Sequence, residues 1–291
     1  MAGYPNRTIT GKFTPIQFIA VGDNGYIMSE TKLQQVGINN WCAIAYGNNR
    51  YVSVGYNGYI TTSSDGINWT PPNQVGGTVI WEDIMFENGY FVIISTNHTY
   101  SSSLDGINWA TIQNFGFSVN GVGHGNGIFA AVNFNGRIST STNGTTWISS
   151  NKNSGTNMSG LGISDKWIIG CTSGGFLYRS GDGGNTWKSS FQDPIRPKKI
   201  VYGNNIFVGI NSQKVGYALN SEFLSTFYKA TVDDSISWSD ATFGNNNFLL
   251  LNAAGYISFS IDGANWTTPE QLKDESGKAV TANLNGVCIM P

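Results

Sequence analysis

The strongest constraint on this chain is a short phrase that it repeats five times. Each copy begins with Ser, carries Asp or Asn next to Gly in its middle and ends on Trp. The copies occupy residues 63–69, 103–109, 141–147, 180–187 and 260–266. Neighbouring copies lie about 40 residues apart, or twice that, and a repeat of this period predicts a stacked or radial architecture.

The repeated phrase has the chemistry of a tight turn between two strands. An Asp or Asn side chain accepts backbone N–H groups two residues further on, Gly adopts a positive φ, and Trp packs the turn against the next repeat. We therefore predict a structural role for Asp65, Trp69, Asp105, Trp109, Asn143, Trp147, Asp182, Trp187, Asp262 and Trp266.

The sequence around each phrase predicts a four-stranded unit. An alternating run such as 58–63 leads into the phrase, as a half-buried strand requires. A more apolar run such as 91–94 comes before it, usually after a Gly-Asn turn like that at 47–49. One further apolar strand comes first, and we call these four the first, second, third and fourth strands.

The central apolar residue of the first strand recurs seven times. These anchors are Ile44, Ile84, Val122, Leu161, Ile200, Ala241 and Val287. The last anchor has no second strand after it, whereas residues 18–29 supply a second and third strand without a first. We expect the C-terminal strand to complete the N-terminal blade, which would leave no open sheet edge.

The predicted fold is therefore all-β: a seven-bladed β-propeller of four-stranded blades, ring-closed by the C-terminal strand. Residues 1–16 form an N-terminal arm and residues 17–291 form the propeller. Two blades lack the phrase, since residues 29–32 and 220–223 stand in its place.

The phrase also resembles the Asp-box, or BNR, repeat of sialidases, sortilin-type receptors, several lectins and photosystem assembly factors. Residues 180–187 match Ser-x-Asp-x-Gly-x-Thr-Trp throughout, and the other copies are one residue shorter. The chain looks similar to propeller lectins and to phage tail or receptor-binding propellers. The resemblance implies a propeller scaffold and concerns a turn, not an active site.

The sequence favours a non-enzymatic protein. A sialidase would need a convergent arginine triad, but the arginines are scattered at positions 7, 50, 137, 179 and 196. His98 and His124 fall in different repeats, so we expect neither a metal site nor a cofactor. Glu82 and Asp83 are adjacent on a strand and should point to opposite sides, which makes them a poor acid/base pair.

A ligand site is expected on the face opposite the repeated turns. The candidate residues there are Trp41, Trp81, Trp238, Tyr56, Asn57, Asn97, Phe134, Asn135 and Asp23. Aromatic faces beside amide and carboxyl groups suit a sugar. Alternatively, the tryptophans pack between blades and the asparagines only form turns.

The composition of the chain limits the classes of partner that we expect it to bind. Charged residues make up 12% of the 291 residues and the net charge is −2, so nothing indicates a nucleic-acid partner. No apolar run is long enough for membrane insertion, and residues 1–7 contain no hydrophobic run, so no secretory signal is expected. Cys42, Cys171 and Cys288 are expected to be reduced thiols.

Three functions fit these observations. The first is a virion-associated phage tail or receptor-binding component, assembled in the host cytoplasm. Its arm, residues 1–16, would dock onto other virion proteins, and its propeller would bind cell-surface glycans. The second is a soluble multivalent lectin, cytoplasmic or non-classically released. The third is an assembly-factor or glycosidase-like propeller.

Overall fold

The computed structural model confirms the predicted all-β architecture of seven four-stranded sheets. It describes residues 17–29, 32–133, 136–153, 158–172, 174–220 and 226–289, apart from the side chains of 150–153, 190 and 191. The seven sheets are antiparallel, and each is one blade of the propeller. The proposed arm at 1–16 and the substituted turns at 30–31 and 221–223 lie outside the described residues.

The strands follow the chain in order from blade to blade. Blade one contains β1 (Phe18–Gly22), β2 (Tyr26–Ser29), β3 (Lys32–Gln35) and β28 (Leu284–Ile289). Blade two contains β4 (Trp41–Gly47), β5 (Arg50–Gly55), β6 (Tyr59–Ser63) and β7 (Asn73–Gln74). Blade three contains β8 (Trp81–Glu87), β9 (Tyr90–Ser95), β10 (Thr99–Ser103) and β11 (Gln113–Asn114). Blade four contains β12 (Val119–Gly125), β13 (Ile128–Asn133), β14 (Arg137–Ser141) and β15 (Ile148–Asn153).

The remaining three blades repeat this order. Blade five contains β16 (Met158–Ile163), β17 (Ile168–Thr172), β18 (Phe176–Ser180) and β19 (Lys188–Gln192). Blade six contains β20 (Lys199–Gly203), β21 (Ile206–Ile210), β22 (Val215–Leu219) and β23 (Tyr228–Lys229). Blade seven contains β24 (Trp238–Gly244), β25 (Asn247–Asn252), β26 (Tyr256–Ser260) and β27 (Glu270–Gln271). Short 3-10 turns at Asp23–Gly25 and Tyr56–Gly58 follow β1 and β5.

The ring closes as predicted, between the two ends of the chain. Strand β28 pairs antiparallel with β1, with Ile19 opposite Cys288 and Ala20 opposite Val287. Blade one therefore has the strand order β28, β1, β2, β3. The pairing removes the open edge that β1 would otherwise present to other chains.

The hydrophobic core lies between neighbouring blades. One cluster combines Val52 and Val54 of blade two with Trp81, Ile84 and Phe91 of blade three, all buried. The second strands have largely apolar sequences because they are buried. In β5, for example, five of the six residues are buried. A strand with blades packed on both faces has no solvated face to alternate with.

Glycine ends two first strands because the next blade approaches too closely for a side chain. A Cβ at Gly47 would lie 2.2 Å from the Phe86 ring, and one at Gly203 would lie 2.2 Å from the Phe243 ring. Each phenylalanine thus occupies the place of the missing side chain and closes the seam between two blades.

The repeated turn has the hydrogen bonding that its sequence predicts. In the copy at 63–69, Asp65 Oδ1 accepts the amides of Ile67 at 2.9 Å and Asn68 at 2.7 Å. Asn143 serves in the same way in blade four, where its Oδ1 accepts the Thr145 amide at 3.0 Å. The turn thus supplies its own acceptor within three residues.

The tryptophan of the turn packs in the opposite direction from the one expected. Trp69 of blade two joins the cluster that blade two shares with blade one, and Trp109 of blade three joins the cluster shared with blade two. The turn glycine shows the same contact, because a Cβ at Gly106 would lie 2.5 Å from Val52. Each turn is therefore stapled to the preceding blade.

No helix among the described residues is long and apolar enough to cross a membrane.

Candidate recognition site at the channel mouth

The two faces of the ring carry different connections. On the face that we call the bottom, Asn48 Nδ2 donates to the Leu104 carbonyl at 2.7 Å, which ties a turn between first and second strands to a repeated turn. On the top face, the Tyr56 amide donates to the Asn40 carbonyl at 3.0 Å, just before β4 begins. The repeated turns therefore lie away from the top opening of the central channel.

The first strands surround a central cavity of about 680 Å³. Its wall includes the anchors Ile44, Ile84, Val122, Leu161, Ile200, Ala241 and Val287. The residues immediately before each anchor lie toward the top face, where the strands begin. They decide which chemistry the opening presents.

A ring of seven polar side chains lines the cavity two positions before the anchors. We call this set the mouth ring: Cys42, Glu82, Asn120, Ser159, Lys198, Ser239 and Asn285. In six blades the strand register shifts across this position, as between Trp41 and Ala43, so the mouth-ring residue is an extra residue in the ladder. Such bulges redirect a side chain out of the regular sheet pattern.

The layer one position before the anchors combines three charges with four small residues. Asp83, Lys199 and Asp240 carry the charges. The equivalent residues in the other blades are Ala43, Gly121, Gly160 and Gly286. The glycines let the next blade approach closely, since a Cβ at Gly121, Gly160 or Gly286 would lie within 2.9 Å of its backbone.

Lys199 and Asp240 form an ion pair in this layer. Asp240 also accepts the Ala241 amide at 2.8 Å and the Val287 amide of blade one at 2.9 Å. Desolvation alone would lower the pKa of Lys199, but the carboxylates of Asp240 and Asp83 outweigh it and raise that pKa. The Lys199 side chain is 44% exposed, yet the surface that it exposes faces the enclosed lumen. Its charge is therefore screened less than one on the outer surface.

The carboxylate of Asp83 has fewer hydrogen-bonding partners than that of Asp240. Within the described ranges its carboxylate has one hydrogen bond, from the Ile84 amide at 2.8 Å. Desolvation raises the pKa of Asp83, the charge of Lys199 opposes that rise, and Asp240 adds to it. Beside it, partial desolvation at the channel mouth raises the pKa of Glu82, and the charge of Asp83 raises it further.

The three tryptophans predicted as sugar platforms are buried, which corrects that interpretation. Trp41 and Trp81 are 0% exposed and Trp238 is 2% exposed. Trp41 packs between blades one and two, and the Trp81 indole donates to the Val75 carbonyl at 2.9 Å. An indole without an exposed face offers a sugar nothing to stack on. The packing alternative therefore describes these residues.

The other predicted site residues divide into three groups. Tyr56, Asn57 and Asn97 are exposed on the top face. Asp23 is partly buried, and both of its carboxylate oxygens accept amide groups, from Asn283 and Asn285. Phe134 and Asn135 lie outside the described residues.

The histidines lie apart, as their separate repeats predict. His98 Nδ1 accepts the Val119 amide at 3.1 Å, while His124 Nδ1 lies 3.3 Å from Glu87. No group of three or more His, Cys, Asp or Glu side chains in the described part of the chain is arranged to hold a metal ion.

Comparison with known proteins gives the fold alone. No family model matches the chain, and no curated protein sequence matches it. A solved structure of YCF48 bound to D1 peptide is similar, at 16% identity over 93% of this chain and 87% of that chain, with a TM-score of 0.64. YCF48 from Cyanidioschyzon merolae is 17% identical over 84% of this chain and 87% of that chain, with a TM-score of 0.60.

A designed protein has a similar fold. The computationally designed Ika8 protein is 10% identical over 96% of this chain and 89% of that chain, with a TM-score of 0.64. Since a natural and a designed sequence resemble this ring equally well, the likeness reflects the propeller architecture and carries no function with it.

Sequence reasoning missed the mouth ring and the charged layer beneath it. A signal was present: each apolar anchor is preceded, at a fixed offset, by a polar residue whose type changes from blade to blade. The sequence instead predicted ligand contacts at the larger tryptophans one position earlier. The bulge after each of these three tryptophans turns the next side chain toward the lumen.

Proposed function

We propose that this chain is a non-enzymatic recognition protein that binds a segment of another protein at the top mouth of its channel. The mouth ring carries the proposal. Its seven residues occupy equivalent positions and line one cavity, yet they include a thiol, a carboxylate, an ammonium group, hydroxyls and amides. Seven equivalent lumen-facing positions that carry different chemical groups suit the selection of one ligand.

A polypeptide segment suits the mouth better than a flat sugar does. The Ser239 hydroxyl donates to the Leu251 carbonyl and keeps its lone pairs for a peptide amide, and Glu82 and Lys198 distinguish charged side chains. The solved structure of YCF48 bound to D1 peptide supports the idea that such a ring accommodates a peptide. That support concerns the fold and not the sequence of the peptide.

The non-enzymatic part of the proposal rests on the state of the reactive groups. Burial, followed by the charges of Glu82, Asp23 and Asp83, raises the pKa of the Cys42 thiol to about 12. The Asp240 carboxylate accepts hydrogen bonds from the Lys199 ammonium group and from the Ala241 and Val287 amides. Neither group is poised as a nucleophile or a free base at neutral pH.

The virion-associated setting is kept as a finer proposal. It relies on the low charge of the chain and on residues 1–16 as a docking arm for other virion proteins. Glycan binding is the second candidate, favoured by the exposed Tyr56 with Asn57 and Asn97 beside the opening. Burial of the tryptophans has removed its strongest support.

The test compares the two ligand classes directly. The purified protein is applied in parallel to a peptide array and a glycan array, together with Ser239→Arg, which places a long side chain in the mouth. Thr145→Arg is the matched control, because Thr145 is an exposed hydroxyl residue in a repeated turn on the bottom face.

We expect peptide binding that Ser239→Arg loses and Thr145→Arg keeps. A blank peptide array, or equal loss in both variants, would overturn the proposal. Glycan binding that Tyr56→Ala removes would instead favour the lectin alternative.

A further inference from the structure

Asp83 and Asp240 occupy the same position of the repeat but have different partners. Each lies one residue before an anchor, and each accepts the amide of that anchor at 2.8 Å. Asp240 has two further donors: the Lys199 ammonium group from blade six and the Val287 amide from blade one. Asp83 has neither counterpart within the described ranges.

The missing lysine follows from the sequence of blade two. Lys199 belongs to the blade before Asp240 and occupies the equivalent position in that blade. The equivalent residue in the blade before Asp83 is Ala43, which carries no charge. The chain therefore builds an aspartate and lysine pair at one seam and only the aspartate at another.

The missing amide contact accompanies the packing of blade four against blade five. A Cβ at Gly121 would lie 2.8 Å from the Ser159 backbone of blade five, and one at Gly123 would lie 2.8 Å from Leu161. These glycines let β12 approach β16 with almost nothing between their backbones. Strand β12 contacts β16 much more extensively than it contacts β8.

The central cavity extends into the seam between blades three and four. Among the described residues that line it, Ile94 and Ser95 are the two that belong to a second strand, β9 of blade three. Reaching β9 requires passing beside β8, so the cavity has a side cleft at this seam. Asp83 is directly opposite Ile94 in the β8–β9 ladder, so the two side chains share one face of blade three, and the cavity reaches only the edge of Ile94, which is 3% exposed.

We propose that this cleft binds the side chain of a lysine or arginine from the partner segment. The aliphatic stem would lie against the edge of Ile94, and the cationic end would donate to Asp83, as Lys199 donates to Asp240. The inference rests on the proposed function, because it takes the cation to be part of a polypeptide.

Electrostatics at the mouth support a cation. The pKa of the Cys42 thiol is raised first by burial and then by Glu82, Asp23 and Asp83, so three carboxylates act together on this side of the opening. Lys199 is already engaged by Asp240. Binding a cation would offset the desolvation of Asp83 further, because Lys199 opposes it only at a distance and donates no hydrogen bond to Asp83.

The test uses a pair of small probes on the full chain. Nα-acetyl-lysine methylamide and Nα-acetyl-norleucine methylamide have the same stem, and only the first carries an ammonium group. Each is titrated to its solubility limit while the Ile94 and Val122 methyl signals are followed by NMR. The arginine derivative is a further arm.

We expect saturable shifts with the lysine probe and binding about tenfold or more weaker with norleucine, since hydrogen bonds to charged groups are the strong ones. Asp83→Asn should weaken the lysine probe by a similar factor. Glu275→Gln, an equal change of charge on an exposed loop, should leave it unchanged. The probe comparison on the unaltered protein stands even if Asp83→Asn fails to fold.

Equal shifts from both probes, or no saturable shift at Ile94, would overturn the inference. If the array then still finds peptides that Ser239→Arg loses, the proposed function stands and only the cation pocket is wrong. If neither probes nor peptides bind, both proposals fall.

Discussion

Asp23 and Asn285 lie 262 positions apart in the chain, yet Asn285 Nδ2 donates to Asp23 Oδ1 at 2.9 Å. Asn283 Nδ2 donates to the second carboxylate oxygen at 2.8 Å, and the Asp23 amide donates back to the Asn283 carbonyl at 2.9 Å. A residue predicted to bind a ligand thus fastens the end of the chain to its beginning. Its charge still contributes to the field at the mouth.

We call the hydrogen bonds from Asn283 and Asn285 to Asp23 the latch, and we expect them to stabilise the folded protein. Asp23→Ala should lower the free energy of unfolding by about 1–2 kcal/mol, because two side-chain amides lose a charged acceptor. Urea unfolding followed by circular dichroism measures it. The control is Asp274→Ala, whose carboxylate accepts the Ser276 amide at 2.9 Å within one loop. A loss no larger than that of the control would show that the latch does not stabilise the ring.

The repeated turns predict a loss of stability in acid. The Thr186 hydroxyl and amide lower the pKa of Asp182 to about 2, and the Asn68 amide leads in holding the pKa of Asp65 well below its usual range. A carboxyl with a lowered folded pKa contributes stability above its unfolded pKa of about 3.9 and loses it as pH falls through the folded value. Unfolding free energy should therefore fall between about pH 4 and pH 2.

Asp182→Asn tests this dependence, because Asn143 already fills the same role in blade four without titrating. The variant should fold and show a shallower decline of the unfolding midpoint in acid. An unchanged slope would place the acid sensitivity elsewhere.

We expect the same Trp→Phe substitution to lower the free energy of unfolding by different amounts at two of the buried tryptophans. The Trp81 indole donates to the Val75 carbonyl at 2.9 Å, whereas the Trp41 indole nitrogen has no hydrogen-bond partner among the described residues. Both Trp→Phe changes lose packing volume. Trp81→Phe should cost about 1 kcal/mol more than Trp41→Phe, because it also removes the hydrogen bond to the partly buried Val75 carbonyl. Equal unfolding midpoints would contradict this assignment.

Cys42 should react slowly with alkylating reagents. Its pKa rises from 9.0 to about 12, mainly through burial, a difference of three units. The thiolate fraction at neutral pH is then about a thousandfold lower than for an unperturbed cysteine. Iodoacetamide labelling read by mass spectrometry should modify Cys42 slowly in the native protein and quickly in urea. Labelling at equal rates would show that the mouth is less enclosed than its geometry indicates.

The fold was readable from the sequence because its determinants are local. The turn at 63–69 satisfies Asp65 within three residues, and the anchors recur at a regular spacing. The unpaired first strand at Val287 likewise predicted the pairing of β28 with β1. Such patterns need no knowledge of what packs against them.

The candidate site was only partly readable. Trp41, Trp81 and Trp238 lie at the expected height in the ring, but the bulge after each one presents the following residue to the lumen and leaves the indole in the seam. Tyr56, Asn57 and Asn97 are exposed as a binding role requires, although their role in binding stays a prediction.

By itself, the sequence determined the number of blades, the closure of the ring and the geometry of the repeated turns, since each depends on residues close in the chain or on a simple count. Only the tertiary structure decided which groups face the channel and which are already paired. Asp83 and Asp240 have the same place in their repeats. They differ because one seam brings Lys199 and Val287 to the carboxylate, and the other brings Ala43 and a strand, β12, that packs mainly against blade five.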